Sequence, residues 1–476
     1  MTIPFSVAEL LVWTGGTLLS GKLEAHFANV SIDTRTLKGS SALFVAIRGP
    51  NHDAHRFLKQ ATASGAAGLL VEKGCVLPAD LPDALPVVGV EDSTRGLGSL
   101  AAGHRRHFDG PVVAITGSNG KTTTKEMCAE IMSLTGPCLR NQGNLNNAYG
   151  LPLTLLQREA DHRSLVVELG MNHRGEIAPL AKIAQPSVGV ITNVGTAHVE
   201  FLGSRDEIAR EKGDLLEALD SQGVAVLNAD DPRTMAQAER TAARVCSFGR
   251  SGDAEVRAER VTCLGERGFT FDLAAPEGRV PVHVNGLGDP TVSNALAAAA
   301  AALAAGASLD QVAEGLSHAH PVSGRMERVS LPKNIILIND TYNANPQSTE
   351  VALRSLSSLK GSSRGVAVLG YMGELGDSAS TAHRAAGKLV AELGLDFLFA
   401  LGSHAGEIAE GAIGAGMDPS RVHAGRDQEE MCRSVGRILQ GNDWVLVKGS
   451  RSMRMERVVD ALAERVVDAP ARGTEA

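Results

Sequence analysis

The sequence lacks the features that would place the protein in a membrane or on nucleic acid. Its most uniform apolar stretch, residues 295–305, is too short and too weakly hydrophobic to span a bilayer. The N-terminus has no basic segment followed by an apolar core, so no export signal is expected. Acidic and basic residues are interspersed and the net charge is −8, which predicts no broad basic surface for nucleic acid or anionic lipid. We expect a monomeric cytoplasmic protein with small-molecule partners.

Cysteine is scarce, with six residues in a chain of 476. No C-x-x-C pair or metal-ligand spacing occurs, which indicates reduced thiols in a reducing compartment rather than disulfides or a zinc site. The six are Cys75, Cys128, Cys138, Cys246, Cys263 and Cys432.

The pattern of apolar runs and turn residues along the chain predicts an α/β protein with three domains. Residues 1–108 alternate short apolar runs with turns and indicate a small α/β domain. Residues 109–318 alternate strand-like and helical patterns, which is typical of a mostly parallel sheet. Within them an alanine-rich helix should begin near Pro290. Residues 319–476 are expected to form another parallel α/β unit, and residues 468–476 are expected to fray.

The segment VVAITGSNGKTTTKE, residues 112–126, resembles a phosphate-binding loop, although the pattern G-x-x-x-x-G-K-[ST] would need glycine at Ile115. A strand ending at Thr116 and a helix beginning near Lys121 would direct backbone N–H groups and the positive helix end at an anion. Lys121 could reach the β- and γ-phosphates of ATP, and Thr122 could bind Mg²⁺. The alternative is an ordinary glycine turn before a helix. The predicted ATP contacts here are Gly117, Ser118, Asn119, Gly120, Lys121, Thr122 and Thr123.

Further polar residues follow buried strands, where open α/β sheets collect ligands. Glu168 is either a solvated strand end or a Mg²⁺ ligand. Taken alone, His198 indicates a satisfied loop histidine and Lys212 a solvated helix lysine. The segment NADDP, residues 228–232, is typical of a helix cap.

Two clusters close the later strands. Asp340, Asn343 and Asn345 either cap a helix or hold a polar ligand. The segment VLVKGSR, residues 445–451, ends in a basic turn that either binds a carboxylate or phosphate or forms an exposed charged surface.

The order of these motifs resembles the Mur ligases of peptidoglycan synthesis over nearly the whole chain. TGSNGKTTTKE, VVELGMNHRGEI, TNVGTAHVEFLGS and LVKGSRSMRMERV carry the family resemblance. NNAYGLPLT and DTYNANP are the most discriminating, and they resemble the members that join D-alanyl-D-alanine to UDP-N-acetylmuramoyl-tripeptide. The resemblance implies a UDP-substrate domain, a central ATPase domain and a C-terminal Rossmann-like domain for the incoming amine.

The resemblance also implies the chemistry and its cofactors, ATP and Mg²⁺. The tripeptide carboxylate would attack the γ-phosphate, and the amine would then displace phosphate from the acyl phosphate. One alternative is a related ligase that adds a single amino acid to a muramoyl peptide or glutamate to folate. Alternatives from other classes are a non-catalytic nucleotide switch and a small-molecule kinase.

Site residues follow from the matching motif positions. The implied catalytic residues are Lys121, Glu168, His198 and Lys212. The implied metal site comprises Thr122, Glu168, His198 and, if carbamylated, Lys212. ATP would also contact Asn294, Arg325 and Asp340, the last two when the domains close. The UDP-sugar would contact Ser31, Thr34, Arg35 and Arg48. The muramoyl peptide would face Asn146, Asn147 and Thr192, and D-alanyl-D-alanine would bind Asn343 and Asn345.

One position departs from the family pattern. Tyr371 stands in VLGYMGELG where the resemblance leads us to expect aspartate. If that aspartate holds the dipeptide amine, selectivity for the second substrate changes here; if it is structural, little changes.

Overall fold

The computed structural model describes residues 2–37 and 41–468. Residues 468–476 were predicted to fray, and of these residues 469–476 lie outside the described part. Among the described helices, none combines the length and the apolar character needed to cross a bilayer.

The described part of the N-terminal region contains a five-stranded sheet, a two-stranded sheet and three α-helices. Its strands are β1 Phe5–Ser6, β2 Thr17–Ser20, β3 His26–Phe27, β4 Asn29–Ser31, β5 Ala42–Val45, β6 Ala66–Glu72 and β7 Val87–Val90. Its helices are α1 Val7–Thr14, α2 Leu58–Ala63 and α3 Ser93–Arg105. Within the described residues the sheet has the order β2-β7-β6-β5-β4, with only β2 antiparallel, and β1 pairs with β3. Strand β7, the Asp92 cap and helix α3 follow one another at the end of this region.

The central region is built on a larger sheet. Its strands are β8 Val112–Thr116, β9 Cys138–Arg140, β10 Ser164–Glu168, β11 Val188–Ile191, β12 Val224–Asn228, β13 Arg244–Gly249, β14 Val256–Cys263, β15 Phe269–Ala275 and β16 Gly278–Val284. Its helices are α4 Lys121–Ser133, α5 Gly150–Leu155, α6 Ile177–Ala184, α7 Val199–Leu202, α8 Arg205–Glu217, α9 Pro232–Met235, α10 Pro290–Ala304 and α11 Leu309–His318. The order is β16-β15-β14-β13-β12-β11-β8-β10-β9, parallel from β9 to β14 and antiparallel beyond.

The C-terminal region is the third α/β unit. Its strands are β17 Glu327–Leu331, β18 Ile335–Asp340, β19 Gly365–Gly370, β20 Phe397–Leu401, β21 Val422–Gly425 and β22 Trp444–Lys448. Its helices are α12 Pro346–Lys360, α13 Ala379–Glu392, α14 Ala405–Gly414, α15 Gln428–Ile438 and α16 Glu456–Asp468. In the described chain the order is β17-β18-β22-β19-β20-β21, with only β17 antiparallel. The predicted mixed α/β fold with a mostly parallel central sheet is confirmed.

Packing explains the alanine run. The alanine run lies in α10, which begins at Pro290 as expected and packs on α4, and residues 297–302 are at most 1% exposed. Small side chains let these two helices approach closely at native packing density. The N-terminal and central regions share one apolar cluster, in which Phe5 and Leu97 join Val112 and Leu165.

Candidate active site

The glycine-rich turn sits where β8 ends at Thr116 and α4 begins at Lys121, both as predicted. Gly117 has φ +153° and Gly120 has φ +81°. A Cβ at Gly117 would lie 1.9 Å from Thr192 Oγ1, and one at Gly120 would lie 2.2 Å from Asn294 Oδ1. Only glycine fits these two positions. The first N–H groups of α4 have no intrahelical acceptor and are free for an anion.

Ile115 resolves the irregular loop pattern. It is fully buried within β8, and its neighbours in the sheet are Glu168 on β10 and Val190 on β11. Ile115 therefore belongs to the strand, and the loop itself starts at Gly117.

Hydrogen bonds from the segment that follows β11 hold the phosphate loop in place. Asn193 accepts from the backbone N–H of Ser118 at 2.9 Å and of Asn119 at 3.0 Å. The Thr192 hydroxyl donates to the backbone carbonyl of Asn119 at 2.7 Å and is 3% exposed. We expected Thr192 to face the peptide substrate, but the structure commits its hydroxyl to the loop.

Three side chains form a buried polar cluster beside the loop. The Thr122 hydroxyl donates to Glu168 Oε2 at 2.6 Å, and Asn146 Nδ2 donates to Glu168 Oε1 at 2.8 Å. Glu168 is 2% exposed, so it is a buried carboxylate rather than a solvated strand end. Lys121 Nζ donates to the carbonyl of Gly117 at 2.9 Å.

Charge and burial oppose each other at Lys121. Desolvation lowers the pKa of Lys121, the nearby Glu168 carboxylate raises it, and Arg325 lowers it further. The group therefore sits in a partly desolvated environment where an added anion would be attracted strongly.

Lys212 lies on α8 and is 1% exposed. Burial lowers the pKa of Lys212 well below its usual range; repulsion by Lys121 lowers it further, while Glu211 raises it. Glu211 is itself satisfied by the backbone N–H groups of Gly175, Glu176 and Ile177. Lys212 is therefore a buried amine next to the phosphate loop, not the solvated lysine that its helix pattern indicates.

His198 reaches the C-terminal region. Its Nδ1 lies 2.6 Å from Glu374 Oε2, and the backbone of both residues is left-handed, with φ +64° and +61°. The hydrogen bond to His198 lowers the pKa of Glu374 against the effect of its burial. Within the described residues, no group of three His, Cys, Asp or Glu side chains is arranged to hold a metal ion.

The C-terminal region supplies a second polar cluster. Lys448 Nζ lies 2.6 Å from Asp340 Oδ2 and donates to the carbonyl of Asn343 at 2.9 Å. Asn345 caps α12 by accepting from the Ser348 N–H. Its Nδ2 also donates to Asn119 Oδ1 at 2.9 Å, so it is both a cap and a contact with the phosphate loop.

The two cations of the basic turn after β22, Lys448 and Arg451, lie in different environments. Lys448 is 2% exposed, whereas Arg451 is on the surface and pairs with Glu456. Tyr371 lies against this turn, with its hydroxyl 2.7 Å from Ser452 Oγ. Tyr371 does not line the cavity described next.

A cavity of about 1980 Å³ joins the loop, the Glu168 cluster and the C-terminal region. The predicted site residues lining it are Ser118, Asn119, Gly120, Lys121, Thr123, Asn146, Asn147, Glu168, His198, Asn294, Arg325, Asp340, Asn343 and Asn345. Gly117, Thr122, Thr192 and Lys212 are not among its lining residues, nor are Ser31, Thr34, Arg35 and Arg48. Arg35 pairs with Asp33, and Arg48 pairs with Asp53 and Glu72.

Five further polar residues that line the cavity were not predicted from the sequence. Arg95 on α3 and Lys182 on α6 line it, as do Asn193, Arg205 and Arg233. A single cation on an amphipathic helix looks like part of a solvated face, so Arg95 and Lys182 carried no signal in the sequence. Asn193 follows Thr192 in TNVGT, and its position just after a strand was the only sequence signal that it could lie at the site.

The phosphate loop at a switch between parallel strands, with a cavity shared by separate α/β units, defines a multidomain nucleotide-dependent enzyme. Residues 115–302 match the Mur ligase middle domain, and residues 324–451 match the Mur ligase, glutamate ligase domain. The UDP-N-acetylmuramoyl-tripeptide--D-alanyl-D-alanine ligase of Escherichia coli is 36% identical over 452 residues, covering 94% of this chain and 97% of that protein. The chain therefore belongs to the Mur ligase family, which confirms the resemblance seen in its motifs.

Solved structures agree. MurF from Acinetobacter baumannii superposes with a TM-score of 0.88 at 34% identity, covering 97% of this chain and 99% of that one. MurF from Thermotoga maritima, solved in complex with ADP, gives a TM-score of 0.78 at 26% identity, with 92% and 98% covered.

Proposed function

We propose that the chain is an ATP-dependent ligase that joins D-alanyl-D-alanine to UDP-N-acetylmuramoyl-tripeptide, giving the pentapeptide, ADP and phosphate. One observation carries the proposal: the phosphate loop and the polar cluster of the C-terminal region line a single cavity. A ligase needs this arrangement because the activated acid and the attacking amine must meet before water arrives. The 36% identity to the Escherichia coli ligase for these two substrates, over 94% of this chain, supports the substrate assignment.

The first step brings two anions together. A carboxylate oxygen of the tripeptide attacks the γ-phosphorus of ATP, the bond to the β-phosphate oxygen breaks, and ADP leaves. Lys121 and the N-terminus of α4 supply the positive charge that this encounter requires. The amine nitrogen of D-alanyl-D-alanine then attacks the acyl carbon, releases phosphate and loses a proton as the amide forms.

Thr122 and Glu168 fit a Mg²⁺ ion. Their oxygens are 2.6 Å apart beside the loop, and this hard cation takes carboxylate and hydroxyl oxygens along with substrate phosphates. When bound, Mg²⁺ would supply neutralisation of phosphate charge. The Asn146 amide holds the other Glu168 oxygen at 2.8 Å and so orients the carboxylate.

Lys212 is proposed to be carbamylated. Its lowered pKa favours the neutral amine, whose nitrogen can attack the carbon of CO₂ and lose a proton to give a carbamate anion. With His198 it would then serve a second metal ion. We expect Lys212→Ala to lose activity and a short carboxylate to restore part of it; activity equal to the unmutated enzyme would refute this role.

The remaining assignments complete the proposal. Residues 1–108 would bind the UDP end, residues 109–318 ATP, and residues 319–476 the dipeptide. Asn294, Arg325 and Asp340 would contact ATP, while Asn146 and Asn147 would face the muramoyl peptide and Asn343 and Asn345 the dipeptide. The UDP contacts Ser31, Thr34, Arg35 and Arg48 rest on the motif alone. A cytoplasmic location is proposed, since the thiols of Cys128, Cys138 and Cys246 are free as a reducing compartment requires. We also propose that the protein is a monomer.

Mass spectrometry of the product tests the function. The protein is incubated with UDP-muramoyl-tripeptide, ATP, Mg²⁺ and D-alanyl-D-alanine, with diaminopimelate or lysine as the third peptide residue in separate reactions. We expect a pentapeptide with one phosphate released per amide bond. No pentapeptide under conditions where a control ligase works would refute the proposal, as would phosphate release stimulated only by glutamate with a folate.

A variant separates catalysis from simple nucleotide binding. Glu168→Ala should abolish amide formation while the protein stays folded by circular dichroism. A nucleotide switch predicts tolerance of this change, and a small-molecule kinase predicts a stable phosphorylated product with no amide. Either result would replace the ligase assignment.

A further inference from the structure

The phosphate loop and the C-terminal region are joined by a pair of side-chain amide hydrogen bonds. Asn119 Nδ2 donates to Gln347 Oε1 at 3.1 Å, and Asn345 Nδ2 donates to Asn119 Oδ1 at 2.9 Å. We call Asn119, Asn345 and Gln347 the amide clasp. Both polar atoms of the Asn119 side chain are therefore used by another domain rather than directed at a phosphate.

The backbone of Asn119 is held from the other side. Its N–H donates to Asn193 Oδ1 at 3.0 Å, and its carbonyl accepts from Thr192 Oγ1 at 2.7 Å. Asn119 is thus fixed to the central sheet by its backbone and to α12 by its side chain. Any shift of α12 against the phosphate loop must break the clasp.

The surroundings are shaped to admit the clasp. A Cβ at Gly195 would lie 2.2 Å from Gln347 Oε1, so the missing side chain at Gly195 leaves the space that Gln347 occupies. The Gly195 N–H donates to Ser118 Oγ at 2.8 Å, which ties this segment to the same loop. A side chain at Gly195 would press most closely on Gln347, and its Cβ would also lie 3.2 Å from Ser118 Cβ and 3.3 Å from Asn119 Nδ2.

We propose that the amide clasp positions the amine-binding domain against the phosphate loop, so that the acyl phosphate is captured by the amine instead of by water. The inference rests on the proposed ligase function. Asn119 and Gln347 are positioning residues, because their side chains act on domain placement and not on reacting atoms. Loosening the clasp should leave the phosphate cradle intact, since backbone N–H groups and Lys121 form it. Loosening should also raise the fraction of acyl phosphate lost to hydrolysis.

The magnitude follows from the number of bonds removed. One neutral hydrogen bond is worth roughly fivefold in an equilibrium or rate. Gln347→Leu removes one bond, so kcat/KM for D-alanyl-D-alanine should fall roughly fivefold. Asn119→Ala removes two and should cost roughly 25-fold. The double variant should be no worse than Asn119→Ala alone, because the two residues share one bond.

The test measures three quantities on the full-length enzyme: ADP affinity by calorimetry, kcat/KM for the dipeptide, and the ratio of phosphate released to pentapeptide formed. We expect a raised phosphate-to-pentapeptide ratio in Asn119→Ala, Gln347→Leu and Gly195→Ala. In Gln347→Leu, which changes no residue of the phosphate loop, ADP affinity should stay within twofold of the unmutated enzyme. Gln222→Leu, an exposed glutamine outside the cavity, is the matched control and should change nothing.

The outcomes separate the clasp from the function itself. If the unmutated enzyme makes no pentapeptide, the proposed function fails. If it makes pentapeptide but all three variants keep an unchanged ratio, the clasp is refuted. The clasp is also refuted if Gln347→Leu lowers ADP affinity as much as it lowers kcat/KM for the dipeptide. Additive losses in the double variant would refute it as well. Should Asn119→Ala fail to fold, Gln347→Leu and Gly195→Ala decide the matter.

Discussion

Replacing Gly117 by alanine tests how tightly the phosphate loop is built. The backbone of Gly117 has φ +153°, and a Cβ there would lie 1.9 Å from the Thr192 hydroxyl oxygen. That hydroxyl donates to the backbone of Asn119 at 2.7 Å. The added methyl group must therefore either move Thr192 or distort the loop.

The cost has three parts. A conformation that side chains rarely adopt costs about 1–3 kcal/mol. Losing the Thr192 hydrogen bond costs about 1 kcal/mol, and moving Thr192 off its rotamer costs about 1 kcal/mol. The sum of about 3–5 kcal/mol is within the stability of a typical domain, so the variant should still fold. If 3 kcal/mol of it falls on the binding-competent loop, ADP affinity drops roughly 100-fold.

Calorimetric titration with ADP measures the loss of ADP affinity, and urea unfolding measures the loss of stability. Thr192→Ala provides an internal check, because it removes the atom that the new Cβ meets. The double variant Gly117→Ala/Thr192→Ala should be about 1 kcal/mol more stable than Gly117→Ala alone, since the closest contact, with the Thr192 hydroxyl oxygen, is gone. The reasoning fails if Gly117→Ala binds ADP within twofold and unfolds unchanged, or if Thr192→Ala adds a further loss.

Three further outcomes are expected. His383 is buried, its Nε2 accepts from the Met372 N–H at 2.8 Å, and desolvation lowers its pKa from 6.5. The unfolded state therefore binds the proton more readily, so the unfolding free energy should fall as pH drops through 6.5, and His383→Gln should flatten this slope in urea titrations. Arg364→Met leaves Asp443, 2% exposed in the pair, without its partner and should lower the unfolding free energy by about 3 kcal/mol. Lys448→Met removes the buried partner of the Asp340 carboxylate and should slow pentapeptide formation at least tenfold (about 1.4 kcal/mol) in the mass-spectrometric assay.

Matched controls sharpen these expectations. Arg384 and Glu410 form an ion pair in which both side chains are more than half exposed, so Arg384→Met should cost less than about 1 kcal/mol. Equal costs for Arg364→Met and Arg384→Met would contradict the role of burial. If His383→Gln leaves the pH dependence of the unfolding free energy unchanged, His383 is not the group that titrates. If Lys448→Met forms pentapeptide at the full rate, the buried Lys448–Asp340 pair has no part in the reaction.

Local sequence determined the phosphate loop and the strands around it. The glycines, Lys121 and Thr122 are contiguous, so their chemistry is legible without the fold, and the strand end at Thr116 and helix start at Lys121 followed directly. The α10 start at Pro290 and the alternation of strands and helices were legible for the same reason, since periodicity and capping act within a few residues.

The pairing of distant segments was decided by the tertiary structure. His198 and Glu374 are 176 residues apart, and Asn119 and Gln347 are 228 apart, so no local pattern couples them. Burial also reversed the interpretation of Lys212, because only packing shows that this helix position faces the protein interior beside Lys121. The sequence by itself determined which residues could carry phosphate chemistry. The fold decided which of them lie together and which are held by another domain, because charge, desolvation and hydrogen bonding depend on distances between segments remote in the chain.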